Sequence, residues 1–312
     1  MSPAFLASEF PPQPPQQAGI HFIPVPMELS VSYGGGTRHG PAALLAASQQ
    51  LEAWDGSGAN PGAPGQGGPA SPGDLGLHTQ PPVDCRAAPG LAPEQQAEAI
   101  LQRVTRATHD ALACRALPVL LGGEHTLTLG ALRAVQAHAN APFGLVQFDA
   151  HADLRPVYEG SPYSHACVMH RAVADLSLPL AQFGVRDFCR EEAAIREQYG
   201  VLHHDAPTLW RDGLPQAPLP ERFPRQVYLS FDVDGLDAAL MPATGTPSPG
   251  GLGWYEALTL VERCLAGRTL IGMDVVELAP IAGLHAADYT AARLTWHILC
   301  LAQRLGALPR PL

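Results

Sequence analysis

The stretch "VQFDAHADLR", Val146 to Arg155, places Asp149, His151 and Asp153 at every second position directly after an apolar run. Residues two apart in an extended chain point the same way, so the three can converge on one point. A second apolar run, "VYLSFDVDGLD", ends in Asp232 and Asp234 at the same spacing, and "VLLGGEHTLT" presents His125 beyond a Gly-Gly turn. Four carboxylates brought together would repel and hold their protons unless cations neutralise them. Four Asp and two His suit two divalent ions. An oxygen-rich set without thiolates favours manganese, with zinc, cobalt or nickel as lesser choices. Two such ions make hydroxide available at neutral pH, which points to a hydrolase attacking an electrophilic carbon.

Something must position these clusters. The runs "IHFIPVP", "LPVLLGG", "FGLVQFDA", "LAQFGV", "QVYLSFDVD" and "LIGMDVVEL" show no in/out alternation, and helical patterns separate several of them. Ile100, Val104, Ala107 and Ala111 mark one helix opened by Pro93; Trp254, Leu258, Val261 and Leu265 mark another, stopped by Gly267. Such strands predict an α/β fold: three layers, α/β/α, around a mainly parallel sheet. Ligand sites of these sheets lie outside the carboxyl ends of the strands, where all three clusters fall. Residues 1–312 are expected to form one domain, with a mobile Gly/Pro-rich insertion at about residues 56–76.

Composition removes other chemistries. All 19 basic residues are arginine, so Schiff bases and a P-loop lysine are excluded. A formal net charge of -10 argues against nucleic-acid and anionic-membrane partners. No apolar run is long enough to span a bilayer, and the N-terminus lacks a signal-peptide pattern, so a soluble cytoplasmic protein is expected. The six cysteines form no CxxC pair and read as small buried hydrophobes.

The motifs "GGEHTLT", "DAHADLR", "SFDVDGLDAALMPATGTPSPGG" and "MDVVELAP", in this order, resemble the ureohydrolase family of arginases and agmatinases. The resemblance implies a binuclear manganese site, with His125, Asp149, Asp153 and Asp232 on one ion. Asp149, His151, Asp232 and Asp234 would hold the other, so that Asp149 and Asp232 bridge. It also implies His165 as the group that passes a proton to the leaving amine, and Glu277 as the carboxylate that grips the guanidinium. Arg186 and Asp187 match an element expected to support the loops around the site. A homo-oligomer, trimer or hexamer, is implied as well.

The stretch "DLRPVYEGSPYSHA" resembles the agmatinase branch, so the expected small guanidino substrate is agmatine, cleaved to putrescine and urea. Arginine, guanidinobutyrate, guanidinopropionate, aminopropylagmatine, guanidine and formiminoglutamate are the alternatives. Two readings of other kinds are a catalytically silent metal-binding relative and a single-metal deacetylase. Intact His165 and Glu277 speak against the first, and paired acidic clusters against the second. Three departures from the family pattern stand out: Glu124 in place of Asp, Ala238 in place of Pro, and Ala166 in place of Gly. The first is expected to alter how His125 is oriented.

Overall fold

A computed structural model describes residues 3–54, 71–86 and 90–308. Eight parallel strands form one sheet in the order β2-β1-β3-β8-β7-β4-β5-β6. They are β1 (Ile20–Val25), β2 (Leu77–Thr79), β3 (Leu117–Gly122), β4 (Phe143–Phe148), β5 (Leu180–Phe183), β6 (Leu202–His204), β7 (Gln226–Asp232) and β8 (Thr269–Val276). The six apolar runs account for β1, β3, β4, β5, β7 and β8; the two edge strands have only three residues each.

Along the central strands, successive side chains enter two separate cores. Val119 and Leu121 of β3 join one core and Leu120 the other; Val227 and Leu229 of β7 join the first and Tyr228 the second. Helices α1 (Gly40–Ser48), α7 (Trp254–Leu265) and α8 (His285–Arg304) cover the first core. Helices α2 (Pro93–Ala113), α3 (Leu127–His138), α4 (Val168–Ala174) and α5 (Arg190–Tyr199) cover the second. The remaining helix, α6 (Ala206–Asp212), contributes Leu209 to the first core. Both faces of the sheet are therefore buried, which explains why its strands lack polar alternation. This is the three-layer α/β/α arrangement with an all-parallel sheet.

Helices α2 and α7 follow the predicted periodicity, with Ile100, Val104 and Ala111 buried in one and Val261 and Leu265 in the other. Two expectations change. Most of the Gly/Pro-rich stretch lies outside the described residues, but Ser71 to Gly76 form a capped turn: Ser71 Oγ accepts from Gly73 N–H and Asp74 accepts from Ser71 N–H. Short-range capping orders a segment whose composition reads as linker. Of the six cysteines, only Cys167, Cys264 and Cys300 are buried; Cys85, Cys114 and Cys189 are half-buried. No helix of the described residues is long and apolar enough to cross a membrane.

Candidate metal centre

Four adjacent strands, β3, β8, β7 and β4, end side by side at the middle of the sheet. Chain connections leave this point in both directions, β3 and β4 being neighbours in sequence but not in space, which opens a crevice at their carboxyl ends. Glu124 and His125 follow β3; Asp149, His151 and Asp153 follow β4; Asp232 ends β7; Asp234 lies in the turn after it; Glu277 follows β8. His165 opens a short 3₁₀ turn whose preceding Ser164 caps it through the Ala166 N–H. All of the ligand-type residues expected from the sequence meet here.

His125 Nδ1 lies 3.2 Å from Asp149 Oδ2, 3.0 Å from Asp153 Oδ2 and 3.5 Å from Asp232 Oδ2. It is fully buried and has no hydrogen-bond partner of its own. His151 Nδ1 lies 3.5 Å from Asp149 Oδ1 and 3.1 Å from Asp234 Oδ2. Two groups result, His125 with Asp149 and Asp232, and His151 with Asp149 and Asp234, each within 4.8 Å among its donor atoms. Asp149 presents one oxygen to each imidazole and so spans both groups; the second forms without Asp232. A buried imidazole nitrogen without a partner, ringed by three carboxylates, is a donor set that fits a divalent cation.

Electrostatics of the protein alone point the same way. Burial and the neighbouring Asp234 and Asp149 push the Asp232 carboxyl well above its usual range. Burial and Asp149 raise Asp153 to about 7. Burial opposes charge on His151, yet Asp149 and Asp234 hold it protonated, up to about 12. For His125 burial again works against the charged form, and the carboxylates of Asp149 and Asp153 outweigh it. Carboxylates crowded this closely call for compensating positive charge, which divalent cations would supply.

The donors are held from behind. His125 Nε2 is 2.7 Å from Ser230 Oγ, which is 2.6 Å from Asp274 Oδ1. Tyr228 and Thr128 hydroxyls donate to Asp274 Oδ2 at 2.7 and 2.9 Å. Ser230 has one proton and gives it to the carboxylate, so His125 Nε2–H must donate to Ser230. In the neutral ring that metal binding requires, this leaves the lone pair on Nδ1, aimed at the carboxylates. Asp149 is held likewise: Gln147 Nε2 donates to Oδ2 at 2.7 Å, and Gln182 Nε2 donates to Gln147 Oε1 at 2.6 Å. None of Ser230, Asp274, Tyr228, Thr128, Gln147 or Gln182 is among the residues expected from the sequence; for all but Thr128, which lies in the first turn of α3, the usable signal is a polar residue inside an otherwise apolar strand.

Glu277 Oε1 accepts the His125 backbone N–H at 2.6 Å, and burial with Glu124 nearby raises its pKa well above the usual range. Burial lowers that of His165, which Glu124 partly offsets. Both line one cleft with Glu124, Asp153, Asp232 and Asp234, and the segments Val31–Gly34 and Thr244–Thr246 form its mouth. Gly34 N–H donates to Gly245 O at 3.1 Å, and a Cβ on Gly34 would meet that oxygen at 2.8 Å, so only glycine lets the two segments touch. Arg186 donates to the carbonyls of Gly184, Asp234, Leu236, Ser248 and Pro249, which fixes the loop behind Asp234 as a supporting residue should. Asp237 accepts from the N–H groups of Ala239, Gly250 and Gly251, so its turn is pinned without the missing proline. The Glu124 expectation is corrected: its longer side chain turns away from His125 toward Leu29 and Ser30, and Ser230 orients the His125 ring.

Fold and site together place a cluster of metal-type donors in a cleft at the switch point of a parallel sheet. The sequence model of the Arginase family matches residues 18–301. The N(1)-aminopropylagmatine ureohydrolase of Synechocystis sp. is 36% identical, the alignment covering 90% of this chain and 88% of that protein. The enzyme of that name from Thermus thermophilus is 38% identical, over 92% of each. Among solved structures, the agmatine ureohydrolase of Thermoplasma volcanium superimposes with a TM-score of 0.78 at 26% identity, covering 98% of this chain and 97% of that one. The chain belongs to the arginase family of ureohydrolases, hydrolases of amidino C–N bonds.

Proposed function

We propose that this chain releases urea from an amine-tailed guanidine, N(1)-aminopropylagmatine ahead of agmatine, with manganese as its native metal. The observation that carries the reading is the pair of His/Asp groups sharing Asp149, with His165 and Glu277 lining the same cleft. The tail follows from what the cleft lacks. Among the described residues five carboxylates line it and no arginine does, so an amine tail meets no repulsion there while a carboxylate tail finds no cation. The names of the Synechocystis and Thermus relatives favour the aminopropyl derivative over the agmatine expected from the sequence.

His125, Asp149, Asp153 and Asp232 would hold one ion and His151, Asp234 and Asp149 the other, with Asp232 the second bridge. When bound, such a pair neutralises the carboxylates and makes water nucleophilic at neutral pH. Glu277, its rotation locked by the His125 N–H, accepts N–H bonds from the planar guanidinium and turns its carbon toward the metal ligands. As the C–N bond to the tail breaks, the departing nitrogen takes a proton from His165. The products are urea and the corresponding polyamine.

The test is urea release from N(1)-aminopropylagmatine, agmatine, arginine and 4-guanidinobutyrate by manganese-loaded protein, with bound metal counted on the same sample. The expected result is about two metals per chain and urea from the two amine-tailed compounds, with the larger kcat/KM for the aminopropyl one. Urea only from the carboxylate-tailed compounds would overturn the tail assignment. Two bound metals with no urea from any of them would overturn the function.

A further inference from the structure

Beside the cleft, residues from three separate parts of the chain form one hydrogen-bonded line. Glu124 Oε2 accepts the backbone N–H groups of Leu29 and Ser30. Its Oε1 is 3.1 Å from Ser30 Oγ, and Ser30 Oγ is 3.1 Å from His165 Nδ1. The same Oγ accepts the backbone N–H of His165 at 3.1 Å. Glu124 is only 1% exposed, so water does not compete for its oxygens.

The direction of every bond in this line follows from counting protons. A serine hydroxyl has one proton and two lone pairs, and a carboxylate only accepts. Ser30 therefore donates to Glu124, since otherwise two acceptor oxygens would face each other at 3.1 Å. One Ser30 lone pair takes the His165 backbone N–H. The remaining contact, to Nδ1, is a hydrogen bond only if Nδ1 carries the hydrogen. The neutral ring is then the Nδ1–H form with Nε2 bare.

We propose that Ser30 and Glu124 are positioning residues that hold His165 in its Nδ1–H tautomer, so that Nε2 is the nitrogen that moves the proton. Nε2 takes a proton from the attacking water as its O–H bond breaks. It gives that proton to the leaving nitrogen as the C–N bond breaks and its electron pair moves to that nitrogen. The extra methylene of Glu124 has its purpose here: it carries the carboxylate from the end of β3 across to Ser30. The inference rests on the role assigned above to His165.

Glu124→Gln is the decisive variant, because it keeps shape and reverses one bond. The amide oxygen can take the Leu29 and Ser30 N–H groups, while its NH₂ donates to Ser30 Oγ. Ser30 must then turn its proton toward Nδ1, which drives His165 to the opposite tautomer. Expected for Glu124→Gln and Ser30→Ala is a fall in kcat of about 10-fold or more, KM within about 3-fold, unchanged metal content, and recovery in Ser30→Thr. Nitrogen-15 NMR of the histidine rings in the zinc-loaded protein, with the His165 signal assigned by its loss in His165→Ala, should show Nδ1 protonated in the wild type and Nε2 protonated in Glu124→Gln. A guanidine with a weakly basic leaving amine should narrow the kcat deficit of both variants and of His165→Ala together.

His165→Ala separates the two levels. If it loses rate while Ser30→Ala and Glu124→Gln keep wild-type kcat, or if the tautomer in Glu124→Gln is unchanged, the positioning inference is overturned. If His165→Ala itself keeps full rate, the underlying assignment of His165 fails instead, and the inference with it.

Discussion

Ser230→Ala asks whether the His125 ring is aimed by its hydrogen bond or merely by packing. The hydroxyl joins His125 Nε2 at 2.7 Å to Asp274 Oδ1 at 2.6 Å, with all three residues fully buried. Removing it leaves one N–H and one carboxylate oxygen without a partner where water cannot replace it. A bond to a charged group contributes about 1.5–3 kcal/mol and a neutral one about 0.5–1.5, so the metal-free protein should lose about 2–4.5 kcal/mol. Loss of an outer partner of a metal histidine lowers metal affinity about 10- to 100-fold, or about 1.4–2.7 kcal/mol of binding. Tyr228→Phe is the control. It removes the 2.7 Å hydroxyl bond to Asp274 Oδ2 but leaves Thr128 at 2.9 Å and the Ser230 link intact. It should destabilise the protein by about 1.5–3 kcal/mol without moving metal affinity by more than about 3-fold. Chelator-competition titrations with manganese, together with denaturant melts of metal-free protein, read both quantities. Equal metal affinity in Ser230→Ala and wild type, or an equal loss in both variants, would refute the argument.

His165→Ala should bind metal as the wild type does and lose about 10²- to 10⁴-fold in kcat, whereas Asp149→Ala should lose metal and activity together; elemental analysis beside urea release decides, and a fully active Asp149→Ala protein would sink the shared-ligand assignment. Gly123→Ala would put a Cβ 2.0 Å from the Met27 carbonyl oxygen, on the turn that delivers Glu124 and His125, and should cost about 3 kcal/mol or more of stability in a denaturant melt. Burial holds His21 below its ordinary value of 6.5, against a partly compensating bond to the Pro15 carbonyl. The unfolded chain then binds the extra proton first, so this contribution is whole above about pH 6.5 and is lost as pH falls toward the folded value. Melting temperatures across that window should drop less steeply in His21→Gln than in wild type, and parallel curves would exclude His21 as the source.

The metal donors were legible because acidic and imidazole side chains at a spacing of two close apolar runs; Asp149 and His151 carry on from the end of β4, His151 as an isolated bridge to Asp187, whereas Asp234 reaches the same point through a 3₁₀ turn capped by Asp232 rather than through an extended chain. Edge strands β2 and β6 were not legible, since three residues carry too little pattern to separate a strand from a turn. The supporting polar residues fall between. Ser230 and Asp274 are paired in register across β7 and β8, and Gln147 and Gln182 across β4 and β5. Each interrupts an apolar run, and a polar residue inside a doubly covered strand must find a partner. Which partner depends on strand order, and order is a property of the folded sheet. Ser30 was further out of reach: no periodicity governs its loop, and its role depends on His165, 135 positions away in sequence.

Two site carboxylates also show what the scaffold must supply. Asp153 and Glu277 both have positive φ, at 53° and 65°, a conformation that costs a non-glycine residue about 1–3 kcal/mol. Neither is free to relax. The Asp153 carbonyl accepts the N–H groups of Met169 and His170 at the start of α4, and the next residue donates its N–H to the buried Glu192. Glu277 N–H is bound to the Gly123 carbonyl while its side chain takes the His125 N–H. In each case the backbone is fixed by a neighbouring strand end or helix, so the carboxylate points where the crevice lies rather than where its own torsions prefer. Positive φ is not confined to the crevice, since Leu6, Arg115, Glu159 and Ser177 share it. What sets Asp153 and Glu277 apart is that both are carboxylates lining one cleft, where crowding around the His125 and His151 imidazoles carries a cost that a bound cation would offset.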